Sequence, residues 1–284
     1  MLGVIAGLFD AGLDVTEADL IIGTSAGSTA AVQATSAAPT ELFAAILDAA
    51  PQRRPGPVRS TGGRAPMGPA VNHLERTNRI IAAAEGPADM RRRLGKGALE
   101  LEEASDGSWQ TQWRATVAAR LPGQRWPERT MLITAVDART GEPVVFDRHS
   151  GVDLVDAVAA SCSSGPPYAI GDSLFIDGGY RRSSENADLA AGCERVLVLS
   201  PFGGRSRAPQ AWGMHLDAQV DELRAGGSKV ETILPYSNAL EAFMADSTRS
   251  TSGAAAGRST TVLTERSSMP ERSTSRSAGR TLSA

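Results

Sequence analysis

The sequence predicts an α/β protein: a three-layer α/β/α sandwich around a mainly parallel sheet. Three observations predict it. Short continuous apolar runs, such as Leu20-Ile21-Ile22 and Val196-Leu197-Val198-Leu199, read as strands buried on both faces. Longer segments with apolar residues at helical spacing alternate with these runs, which is the pattern of helices laid over a parallel sheet. At 284 residues with 41% hydrophobic content, the chain can bury one large core and still leave an end over.

The elements follow in order. Residues 2–12 read as a helix closed by Gly12. Residues 20–23 form a strand that runs into Gly23-Thr24-Ser25-Ala26-Gly27, and the small residues of 28–38 form the helix behind that turn. Residues 40–50 are a second helix, with Thr40 as N-cap and Leu42, Phe43, Ile46 and Leu47 at helical spacing. Residues 51–69 hold five prolines and four arginines and read as a mobile loop, suited equally to a lid or a linker. Residues 78–121 read as a helical insertion broken at Gly86-Pro87, Gly95-Lys96-Gly97 and Asp106-Gly107, with Arg91-Arg92-Arg93 on a solvated face. Strands are then expected at 130–136, 143–146, 174–176, 195–199 and 230–234, and helices at 152–161, 214–225 and 238–244.

Composition changes after Asp246. Of the 38 residues in 247–284, 17 are Ser or Thr, and six arginines face two glutamates, so the segment carries +4 and the body −7. The chain is therefore divided into a folded body, 1–246, and a disordered Ser/Thr/Arg-rich tail, 247–284, too poor in apolar residues to offset ordering entropy.

Several function classes are excluded. The formal charge of −3 gives no reason to expect nucleic acid as a partner. Cys162 and Cys193 make neither a disulfide framework nor a metal motif, and His73, His149 and His215 show no paired-ligand spacing. No metal or organic cofactor is expected. The apolar N-terminus is short and has no basic flank, and no stretch is apolar enough to span a bilayer, so a soluble, cytoplasmic protein is expected.

The chemistry concentrates at Ser25. A serine on a sharp strand-to-helix turn projects its hydroxyl at the positive end of a helix, and the flanking glycines admit close chain approach. That prepares a weak nucleophile for acyl transfer. Such a serine needs a base, and two candidates stand out. One is His215, which with an earlier Asp would give the Ser…Asp…His order of α/β-hydrolases. The other is Asp177, at the end of the apolar strand Leu174-Phe175-Ile176 and followed by Gly178-Gly179. Strand ends in α/β sheets converge on one crevice, so Asp177 can take the proton directly if held within hydrogen-bond reach. Asp-Gly-Gly also suits a plain turn.

Gly23-Thr24-Ser25-Ala26-Gly27-Ser28 with Asp177-Gly178-Gly179 some 150 residues later resembles the patatin-like phospholipase family. The resemblance extends over residues 2–245 and includes the segments 132–142, 156–162, 176–179 and 186–190. It implies a catalytic dyad without histidine, Ser25 as nucleophile and Asp177 as base, and hydrolysis of acyl esters of phospholipids or related lipids reached by transient contact with a membrane surface. An acyltransferase using the same acyl-serine is the variant reading.

The chain departs from the family at its start. The family's first strand and its glycine-rich Gly-Gly-Gly-x-[Arg/Lys]-Gly loop, whose N–H groups form the oxyanion hole, have no counterpart in the sequence. A start codon assigned too late is the expected cause. A catalytically defective family member is the alternative, since one oxyanion donor is worth about 3–4 kcal/mol. Residues 161–167 also run a few residues shorter than the family's Pro-Gly-rich stretch beside the dyad.

Overall fold

The computed structural model describes residues 1–48, 69–103, 107–235 and 259–265. The first half of the chain supplies α1 (Leu2–Asp10), β1 (Leu20–Ser25), α2 (Ala26–Ser36), α3 (Pro39–Asp48), α4 (Pro69–Ala82), α5 (Pro87–Glu103) and α6 (Ser108–Ala118). The second half supplies β2 (Thr130–Asp137), β3 (Pro143–Phe146), α7 (Leu154–Ser161), β4 (Tyr168–Ile170), β5 (Ser173–Asp177), β6 (Arg195–Leu199), α8 (Leu216–Ala225), β7 (Lys229–Ile233) and β8 (Ser259–Glu265).

All six residues of β1 are buried. Ile21 packs with α2 and α7 residues such as Val32 and Val158, whereas Leu20 and Ile22 pack with Val220 and Leu223 of α8. Alternate residues of one strand thus enter two cores, which is possible only with helices over both faces. The α/β/α sandwich expected from the sequence is what forms. A third cluster joins Met90, Leu94 and Ala98 of α5 to Val136 and Ile176.

The eight strands form one sheet, linked in the order β4–β5–β2–β1–β8–β6–β7, with β3 also on β2. β1 runs parallel to β2 and β6 to β7; every other pairing is antiparallel. The sheet is therefore mixed rather than mainly parallel. Among the described residues, two of the five antiparallel pairings are local, because the connections from β2 to β3 and from β4 to β5 are too short for a crossover and can only make hairpins. The other three bring together strands distant in sequence, β2 with β5 and β8 with both β1 and β6. Gly171, at φ +57°, supplies the left-handed residue in the β4–β5 hairpin.

Two further expectations are corrected. The Gly95-Lys96-Gly97 break does not exist, because α5 continues through it. A Cβ on Gly95 would lie 2.1 Å from the Ala138 carbonyl oxygen, so this glycine serves close packing rather than helix termination. Arg91 is not merely solvated either: its Nε donates to the Gly141 carbonyl (2.8 Å) and its Nη1 to the Arg181 carbonyl (3.1 Å).

The tail expected to be disordered contributes β8, which lies antiparallel between β1 and β6. Ser-Thr-Thr-Val-Leu-Thr-Glu is rich in β-branched residues, a local propensity that the composition of the whole tail conceals. The remainder of 247–284, the 51–68 loop and the 238–244 helix lie outside the described residues.

Candidate active site

The site is built where two strands meet end to end. On β2, Ile133 faces Gly23 on one edge and Phe146 on the other, while Ala135 faces Asp177 on one edge and Val144 on the other. Phe146 and Val144 both belong to β3, so Gly23 and Asp177 share the opposite edge. β1 runs along that edge parallel to β2, and β5 runs along it in the opposite sense. Their C-terminal ends, Ser25 and Asp177, therefore converge at the level of Ala135.

The Ser25 hydroxyl donates to Asp177 Oδ2 at 2.8 Å. Ser25 is wholly buried and Asp177 is 5% exposed, so the pair is shielded from bulk water. Sequence reasoning named both residues, and the fold brings them together.

Each partner is held by its surroundings. Ser25 has φ +53° and ψ −130°, a backbone conformation that costs about 1–3 kcal/mol and persists only under surrounding constraint. Its N–H donates to Ser161 Oγ (2.9 Å), and its carbonyl accepts from Ser28 Oγ (2.6 Å). Gly23 lets the helix fold back: a Cβ there would lie 2.6 Å from Ser28 Cα. Ser25 is also the N-cap of α2, so the positive end of the helix dipole lies at its oxygen.

Asp177 uses its other oxygen, Oδ1, to accept from the Gly179 N–H at 2.8 Å, and its own N–H donates to the Ser163 carbonyl at 2.8 Å. Gly178 is obligatory, because a Cβ there would sit 2.1 Å from the Thr134 carbonyl oxygen. Cys162 lies against the pair. Burial first, and the nearby Asp177 charge second, push its thiol up to about 12, so it is a neutral thiol at physiological pH.

His215 takes a different place. Its Nε2 lies 2.7 Å from the Ala208 carbonyl oxygen at the start of α8, while the Ser25 proton points to Asp177. A cleft lined by Ile80, Leu94, Ser164, Gly165, Ile176 and Tyr180 borders the β5 side of the site, although neither Ser25 nor Asp177 lines it.

The arrangement is a buried hydroxyl donating to a buried carboxylate at a helix N-terminus, on an α/β/α frame. Residues 1–191 match the family described as patatin-like phospholipase. The chain belongs to the patatin-like phospholipase family. A comparison with curated proteins finds no match. Patatin-like membership places the chain in a family of hydrolases of lipid esters. Among the described residues, no helix of this patatin-like chain is long and apolar enough to cross a membrane.

Sequence reasoning missed the supports around the pair. Ser161 and Asn186 both fall in segments that resemble the family, but nothing in their spacing assigns them a contact. The register of β2 brings Thr134 to the two ends, and α7 with the loop after it brings Ser161 and Ser163.

Proposed function

We propose that the protein is a lipid acyl hydrolase in which Ser25 is the nucleophile and Asp177 the general base. The observation that carries this reading is the 2.8 Å hydrogen bond from Ser25 Oγ to Asp177 Oδ2 inside a buried site. As Oγ attacks the ester carbonyl, its proton passes to Oδ2. The tetrahedral intermediate collapses when that proton goes to the leaving alcohol oxygen, which leaves an acyl-serine. Asp177 then takes a proton from water, the hydroxide oxygen attacks the acyl carbon, and Ser25 regains its proton as the fatty acid departs.

Two local features favour the charges that develop. The α2 dipole faces the oxyanion that forms at the carbonyl oxygen. The Gly179 N–H holds Oδ1 and leaves Oδ2 as the oxygen that moves protons. Phospholipids, lysophospholipids and simple acyl esters are the substrate class, met at a membrane or micelle surface. The ester reaches Ser25 by displacing what buries it.

A second reading, a patatin-like protein without turnover, is favoured by one observation: β8 lies on the free edge of β1 as far as Ser25. Fluorophosphonate labelling separates the two. The hydrolase reading expects covalent labelling of the wild-type chain, none of Ser25→Ala, and release of fatty acid from phosphatidylcholine micelles. A folded wild-type chain that takes no label overturns it.

A further inference from the structure

Asn186, outside the Ser25–Asp177 pair, is tightly constrained. It is completely buried and holds φ +49°, the left-handed region that asparagine tolerates better than most residues. Its Nδ2 lies 3.0 Å from Thr24 Oγ1, 3.2 Å from Thr134 Oγ1 and 3.0 Å from the Gly178 carbonyl oxygen. The two amide protons therefore serve three oxygens. One goes to Gly178, which can only accept; the other is shared by the two threonine hydroxyls, themselves 3.0 Å apart. The carbonyl at Gly178 also sets the amide orientation, since Oδ1 in that place would face another acceptor. Oδ1 instead faces Arg181 Nη1 at 3.3 Å.

The three acceptors have a common meaning. Thr24 immediately precedes Ser25, Gly178 immediately follows Asp177, and Thr134 precedes Ala135, the residue that pairs with Asp177. One amide group thus ties both converging strand ends to the strand along which they meet. The backbone of Asn186 is fixed in turn, because its N–H donates to Ser183 Oγ at 3.3 Å, and Gln219 Nε2 also donates to Ser183 Oγ at 2.9 Å.

We infer that Asn186 is a positioning residue, which sets the distance between Ser25 Oγ and Asp177 Oδ2 through Thr24 and Gly178. This rests on the hydrolase reading proposed above. Proton transfer between two fixed heavy atoms is steep in distance, and a misplacement of about 1 Å costs on the order of 10²-fold in rate. A residue that acts only on that separation changes kcat and leaves substrate binding alone.

The test compares wild-type protein with Asn186→Gly, which keeps the left-handed backbone without strain and removes the amide. For Asn186→Gly, kcat on a micellar acyl ester is expected to fall about 30- to 100-fold, with KM within twofold. Thr24→Val, which removes one acceptor and keeps the shape, is expected to lose about 3- to 10-fold and serves where the glycine variant does not fold. A kcat within twofold of wild type in a folded variant overturns the inference, as does a loss carried by KM. If the wild-type chain neither labels nor turns over, the hydrolase reading fails, and crystal structures of the wild type and Asn186→Gly still decide the positioning role. A Ser25–Asp177 separation widened beyond hydrogen-bond distance upholds it; an unchanged separation overturns it.

Discussion

The two halves of the site are held in opposite ways. The nucleophile half is shaped locally: Gly23, Ser25 and Ser28 lie within six residues, and the turn folds onto its own helix, with Ser161 and Asn186 as its ties from outside. The base half is almost wholly distant. Asp177 depends on Ser163, Thr134 and Asn186, and the Gly178–Gly179 turn is the one nearby support. A strand-to-helix turn can be specified by its own few residues, whereas a carboxylate at a strand end needs the sheet completed around it. Breaking the nucleophile half should therefore act locally, and breaking the base half should be felt across the sheet.

The largest expected effect comes from the two reacting groups. Asp177→Asn keeps the shape but gives Ser25 Oγ no base, and hydrolysis is expected to fall at least about 10³-fold. Ser25→Ala is expected to lose a comparable amount, and the double variant no more than the worse single one, because groups that act as a unit are not additive. Turnover of a soluble acyl ester by the three proteins checks this. Independent, multiplicative losses would contradict the dyad.

Next come the glycines. Gly178→Ala and Gly23→Ala each place a methyl group inside the contact distance of a neighbour, and overpacking of this kind typically costs about 1–3 kcal/mol. Gly178→Ala is expected to be the worse, because its obstacle is a carbonyl of a central strand at 2.1 Å. For Gly23→Ala the obstacle is Ser28 Cα at 2.6 Å, in the first turn of a helix that can slide. Urea midpoints of the two variants measure the order, and a Gly23→Ala protein less stable than Gly178→Ala would reverse the comparison.

The same contrast explains what was legible in the sequence. Ser25 could be read because its requirements sit beside it in the chain. Asp177 could be read as a candidate from Asp-Gly-Gly, and the family resemblance prefers it to His215. The structure adds that His215 lies at the start of α8 against the Ala208 carbonyl while Asp177 accepts from Ser25. The three-layer architecture followed from strands such as Leu20-Ile21-Ile22 that are apolar on both faces. The expectation of a mainly parallel sheet failed because strand direction is set by the connections, two of them hairpins, and by the antiparallel insertion of β8 and of β5, and hydrophobicity carries none of this. Gly95 is justified only by the Ala138 carbonyl it packs against, and the β-branched run of β8 is hidden by the Ser/Thr-rich composition around it.

A smaller effect is expected at Ser161, whose hydroxyl reaches the Ser25 backbone from α7. Ser161→Ala leaves the buried N–H of Ser25 without its acceptor, which costs about 1–3 kcal/mol. Ser161→Thr keeps the acceptor and is expected to recover part of that loss. Thermal unfolding of the two variants checks the assignment, and an alanine variant as stable as wild type would show that the strained turn holds itself.

The smallest effect joins the halves. Cys162 follows Ser161 and lies close to Asp177, and its thiol is pushed up to about 12, by burial first and by the Asp177 charge second. An ordinary thiol titrates near 8.5, so the folded protein binds this proton more tightly than the unfolded chain. Its contribution to stability is complete below the unfolded value and is lost as pH rises through that value toward about 12. Alkylation followed by peptide mapping, which distinguishes Cys162 from Cys193, should find Cys162 silent at pH 8 in native protein and modified in urea. Asp177→Asn removes only the lesser cause, so the alkylation profile of Cys162 should move to lower pH while staying above that of the unfolded chain. If the variant instead titrates like an exposed thiol, the carboxylate outweighs burial. The two halves would then be coupled by charge more strongly than by packing.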